Sequence, residues 1–280
     1  LFSWIAGIAL VFAAIFFLRY SIEHGCLSAP IRMTIGLLTG TGLLIVCELR
    51  AARRYPVTDN ALDAAGIAIL FSTLFAAHAL WNLLPQLPVF ALMALVTAVA
   101  VLLSLRRDSV FIALLGLVGG FATPALLSSG EDRPIGLFGY LLLLNAGLAW
   151  VAFRKGWALL TAVSLVFTAL YQWAWVVRFL DASRLPLAMS IFLVFPVFHV
   201  AAVALAARQR TDGDADPLFS QTATLSALLP VIFAVYMAGI PAYGTQYLLL
   251  FGFLFLVILG LSVVAIAHGP QRLYVLGGLS

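Results

Sequence analysis

The chain has 280 residues, of which 64% are hydrophobic and 9% charged, with a mean hydropathy of +1.13. This composition lies far outside soluble globular usage and points to an integral membrane protein. The formal charge of +4 does not indicate a nucleic-acid partner, because the basic residues fall in small groups between apolar runs and not along one face.

Apolar runs of roughly 17 to 25 residues can cross the hydrocarbon core as helices, in which every backbone group is satisfied internally. Ten such runs follow one another: Leu1–Leu18, Ile31–Cys47, Ala61–Leu80, Leu87–Leu105, Val110–Ser128, Ile135–Phe153, Trp157–Val177, Leu185–Ala207, Leu218–Gly239 and Thr245–Ala267. Arg272 and the tail read as the start of an eleventh. The expected fold is therefore all-α, a polytopic transmembrane helical bundle of about ten spans. Leu1–Leu18 is read as a span and not as a signal peptide, since no basic segment precedes it and no small-residue cleavage site follows. The missing initial methionine and the apolar "LYVLGGLS" at the end lead us to expect a piece of a longer protein.

The linker-like segment is "RQRTDGDADP", Arg208 to Pro217, which suggests an eight-helix membrane domain over 1–207 and further spans over 218–280. Asp212, Asp214 and Asp216 imitate the start of a calcium loop, but the required glycine and glutamate do not follow. Ten of the fifteen basic residues follow spans two, four, six, eight and ten: Arg50, Arg53, Arg54, Arg106, Arg107, Arg154, Lys155, Arg208, Arg210 and Arg272. By the positive-inside rule those exits are cytoplasmic, and so is the amino end. Cys26 and Cys47 flank the second span. A spanning helix separates its ends by roughly 30 Å, too far for a disulfide.

Helix packing leaves its own traces. "AGIALVFAAIFF" from Ala6 echoes "AGIAILFSTLFA" from Ala65, and Gly116 and Phe121 keep only the Gly-x4-Phe spacing, a pattern that suggests repeated helix hairpins. Gly36 with Gly40, and Gly116 with Gly120, form small-xxx-small faces that favour close approach of helices. In "LLGLVGGFATPALLSSGEDRP", Pro124 removes the amide that would bond the Gly120 carbonyl, so a bend is expected, with Thr123 helping to satisfy the freed backbone.

The passages "FFLRYSIEHGCLSAPIRMTIGLLTG" and "LLGLVGGFATPALLSSGEDRPIGLFGYLLLLNAGLAW", with "ELRAARRYP" and "RRDS", resemble the bacterial multi-spanning membrane proteins of domain-of-unknown-function family 2339. The similarity runs to about Trp157. It implies a longer, many-span fold and a bacterial inner-membrane location, and it supplies no activity.

Candidate chemistry falls into two groups. The loops expected on the outer side carry Arg19, Glu23, His24 and Arg32 after the first span and Glu131, Asp132 and Arg133 after the fifth. Together they could line one polar cavity, in which guanidinium groups suit phosphate or carboxylate headgroups. Arg178, Asp181 and Arg184 follow the seventh span at the same side. Within the spans, His78, Asn145, Gln172 and His199 are the polar candidates, with His199 read as the deepest ionisable group. Glu48 is read as a residue at a cytoplasmic helix end near Arg50, where pairing or exposure costs little.

No span carries a carboxylate near its middle, no P-loop is present, and the histidines share no metal-ligand spacing. No cofactor or metal is expected. The leading expectation is transport or flipping of a polar or amphipathic envelope-related molecule. Its partners would be membrane lipids and a lipid-linked or anionic small molecule, with no nucleic acid. The alternatives are a membrane-embedded enzyme acting on a lipid-linked or envelope glycan, using His24 with Glu23 or Asp132, and a non-catalytic scaffold.

Overall fold

The computed structural model describes residues 2–23, 27–51, 56–128, 130, 132–209, 217–244 and 246–268. Among them the regular structure is helical, with no strand. The long helices are α1 (Phe2–Glu23), α2 (Ala29–Val46), α3 (Pro56–Ala79), α4 (Gln86–Arg107), α5 (Val110–Leu126), α6 (Pro134–Lys155), α7 (Ala158–Phe179), α8 (Leu185–Gln209), α9 (Pro217–Ala238) and α11 (Tyr247–His268). A four-residue turn, α10 (Pro241–Gly244), precedes the last, and a π-helical turn over Cys47–Ala51 extends α2.

Each of the ten apolar runs coincides with one long helix, because apolar length is what the bilayer selects. Seven helices have the length and apolarity to cross a membrane, and α1, α5 and α11 hold the shorter apolar stretches Ile5–Phe17, Val110–Leu126 and Tyr247–Leu259. One boundary matters for function. Helix α3 starts at Pro56 and not at Ala61, with the proline in the first turn, where its missing amide costs nothing. Asp59 therefore belongs to the helix together with Asp63 and not to the preceding loop.

The chain forms two compact units, residues 1–133 and 134–280. The expected linker at 208–217 falls almost wholly outside the described residues, and so do Asp212, Asp214 and Asp216.

In the first unit α3 is the central helix: 67% of its span is buried, against 22% for that of α2. Helices α1, α2, α4 and α5 pack around it, and Ile67, Leu70 and Leu74 of α3 meet Val89, Met93 and Ile112 in a continuous core. Glycines set the close contacts. The Cβ position at Gly66 lies 3.0 Å from the Gly40 carbonyl, so α2 and α3 approach backbone to backbone. Gly36 faces Thr73, Gly116 faces Ala100 of α4, and Gly119 receives the Phe71 ring. Pro124 lies inside α5 as expected, and the Thr123 hydroxyl donates to the Gly119 carbonyl at 2.8 Å.

The second unit packs α6 to α9 and α11 through aromatic contacts. Phe192 stacks on Phe233 at 4.2 Å between centroids, and Trp173 meets both edge-on. Large apolar side chains such as Leu143, Val177 and Leu248 are exposed on the outer faces, the arrangement of a protein solvated by lipid.

Candidate functional site

The first group of sequence candidates clusters by topology at one end of the first unit, where α1 ends, α2 begins and α5 ends. Arg19 and Arg133 are exposed, Asp132 is partly exposed, and each has a polar or electrostatic partner. Arg32 is different: it is 8% exposed, engaged, and held in the first turns of α2. Glu23 ends α1, with its side chain outside the described set, and His24 and Glu131 lie outside the described residues.

The second group does not converge. His78 pairs through Nδ1 with the Leu84 carbonyl at 3.0 Å and fastens the turn between α3 and α4. Asn145 of α6 donates to the Leu141 carbonyl at 2.8 Å and to the Thr168 hydroxyl of α7 at 2.9 Å. Gln172 donates to the Ile191 carbonyl of α8 at 3.2 Å. Asn145 and Gln172 thus join helices of the second unit, as interhelical polar groups commonly do. His199 donates from Nδ1 to the Phe195 carbonyl at 2.9 Å, which leaves Nε2 as an acceptor. Beside it is a void of about 10 Å³ bordered by Thr161 and Thr222, room for about one water.

A larger cavity lies within the first unit. It measures about 220 Å³ and is formed by Ala13, Ala14 and Phe17 of α1, Gly36 and Thr39 of α2, and Thr73 of α3 among others. Small side chains on α1 and α2 open the space, and the walls are almost wholly apolar. Thr39 and Thr73 are the polar lining residues, and the Thr73 hydroxyl is fully buried and without a hydrogen-bond partner. Arg32 precedes Gly36 by one helical turn and so stands on the same face of α2, nearer the loop between α1 and α2. An apolar chamber with a guanidinium one turn along has the polarity of an amphipathic molecule.

At the opposite ends of these helices is a charged cluster that sequence reasoning missed. Asp59 and Asp63 are spaced i, i+4 on α3 and are 1% and 0% exposed. Arg107, at the end of α4, donates from Nε to Asp63 Oδ2 at 3.0 Å and reaches Asp59 Oδ2 at 4.0 Å and Glu48 Oε2 at 3.7 Å. Glu48 pairs with Arg106 at 2.5 Å, and the Arg50 side chain lies outside the described set. The buried Cys47 thiol lies within hydrogen-bonding reach of the Asp63 carboxylate. Both aspartates are less exposed than His199, at 5%. The sequence signal was the Asp-x3-Asp spacing that follows Pro56, with Asp59 just before the apolar run Ala61–Leu80 and Asp63 near its start.

Ten long apolar helices joined by short links define a polytopic α-helical membrane protein. Within that class, the chain belongs to the family described as predicted membrane protein (DUF2339), whose model matches residues 1–269. The resemblance seen up to Trp157 thus extends over nearly the whole chain. No curated protein and no solved structure matches it.

Proposed function

We propose that the first unit binds an amphipathic, lipid-anchored molecule and carries it across a bacterial inner membrane. The cavity between α1, α2 and α3 carries this reading. Its small-residue walls suit an apolar chain, and Arg32, with Arg19 at the end of α1, suits a phosphate or carboxylate head at the membrane surface. In this reading Asp132 and Arg133, with Glu23, His24 and Glu131, complete the polar entrance on the outer side. The basic residues after α2, α4 and α6 support an entrance opposite the cytoplasm by the positive-inside rule.

The test is to purify the full chain gently and identify co-extracted lipids by mass spectrometry, comparing Ala14→Trp, which fills the cavity, with Leu38→Trp on the exposed face of α2. A specific anionic or lipid-linked species retained by the wild type and by Leu38→Trp, lost from folded Ala14→Trp and weakened by Arg32→Gln is the expected result. Equal lipid content in all four proteins would mean that only bulk bilayer lipid fills the space, and the reading would fail.

A further inference from the structure

We propose that Asp59 and Asp63 hold one proton between them, so that the cluster with Arg107 is a proton-binding site at the Arg106–Arg107 end of the first unit. The argument begins with charge. Among the described residues, three carboxylates, Glu48, Asp59 and Asp63, meet two guanidiniums, Arg106 and Arg107. Glu48 and Arg106 form the solvent-side pair, with side chains 40% and 68% exposed, and they satisfy each other at little cost. That leaves one cation, Arg107, its side chain 10% exposed, between two carboxylates that water does not reach.

The hydrogen bonds point the same way. Asp63 Oδ2 takes the Nε donor, but Asp63 Oδ1 and both oxygens of Asp59 are buried with no hydrogen-bond partner. Even with the Cys47 thiol in reach of Asp63, a fully ionised pair would leave both oxygens of Asp59 bare and one unmatched negative charge inside the protein, an arrangement that burial strongly disfavours. One proton on the pair removes the excess charge, as it does where two acids share a site. The proton belongs to the pair and not to either residue. The ligand is a proton and not a metal ion, since no group of three His, Cys, Asp or Glu side chains among the described residues is placed to hold a metal.

The surroundings contain few competing titratable groups. The π-helical turn after α2 contributes Cys47 and Glu48, and α4 contributes Arg106 and Arg107. The residue of α1 against this stretch of α3 is Gly7, which faces Ala61 and carries no charge. Helix α5 meets α3 further along, through Gly119 at Phe71. Asp108, which follows α4, is exposed and has its own partner. Among the described residues, Arg107 is the group that bridges the end of α2, the first turns of α3 and the end of α4. Loss of the shared proton therefore changes the charge balance exactly where three helices are tied, which couples proton binding to their packing. This inference does not depend on what occupies the apolar cavity.

The test is infrared spectroscopy of the full chain in lipid nanodiscs, titrated from mildly acidic to mildly alkaline pH. The wild type should show a protonated-carboxyl stretch at neutral pH that disappears on alkalinisation and shifts when aspartate is carboxyl-labelled with carbon-13. Asp59→Asn and Asp63→Asn should each abolish the band, because the remaining carboxylate then faces Arg107 one to one. Asparagine is nearly isosteric with the protonated acid, and the labelled wild type tests the site without any substitution. No protonated aspartate band in labelled wild type at neutral pH, or a band unchanged in both folded variants, would overturn the proposal.

Discussion

Asn145 spends both of its amide hydrogens on neighbours, one on its own helix at the Leu141 carbonyl and one across to the Thr168 hydroxyl of α7. Thr168 in turn donates to the Ser164 carbonyl at 2.7 Å, so the hydroxyl is oriented before Asn145 reaches it. In a bilayer such a bond competes with partners available in the unfolded state, and its net value is about 0.6 kcal/mol on average and about 1.7 at most. We expect Asn145→Leu and Thr168→Val each to destabilise the second unit, with a coupling energy in that range in a double-mutant cycle measured by equilibrium unfolding in mixed micelles. Additive losses would show that the two side chains act separately.

At the scale of elements, α2 and α3 touch so closely that side-chain size at two positions sets their distance. A Cβ at Gly36 would collide with the Thr73 side chain, and the Cβ position of Gly40 lies 2.6 Å from Leu70 Cγ. Overpacking of this kind typically costs about 1–3 kcal/mol. Gly36→Ala should lower thermal stability by that amount, and Thr73→Ala, which removes the colliding hydroxyl and methyl, should recover much of it in the double variant. Full additivity of the two losses would rule out the direct contact. The glycine pair was legible in the sequence because spacing alone puts Gly36 and Gly40 on one face, and the ten helices were legible because apolar length alone identifies a span. His78 was legible as a polar group within a span, but not its partner, since only the folded turn brings the Leu84 carbonyl to it. The acidic pair was hidden for a similar reason. Its burial depends on Arg107, 44 residues beyond Asp63, and no local pattern announces that pairing.

For the whole molecule, the side of the membrane decides what each site can meet. In the orientation proposed from the positive-inside rule, the exits of α2, α4 and α6 face the cytoplasm, and with them Asp59, Asp63 and Arg107. Single cysteines test this in a Cys26→Ser background, with Cys47 left in place because it is fully buried. Ser128→Cys and Ser183→Cys, both exposed, should react with an impermeant maleimide on intact cells, whereas Arg154→Cys should react only after permeabilisation. The reverse pattern would invert the orientation, and the consequence would be chemical as well as topological. The Arg32 end would then face the cytoplasm, and the aspartate pair would equilibrate with protons outside the cell. With the orientation proposed here, the pair meets cytoplasmic protons while the headgroup site faces outward, the two ends being connected through α2 and α3. A pH change on the cytoplasmic side alone should therefore alter the titratable carboxyl band in sealed, oriented proteoliposomes, and a change on the other side alone should leave it unmoved.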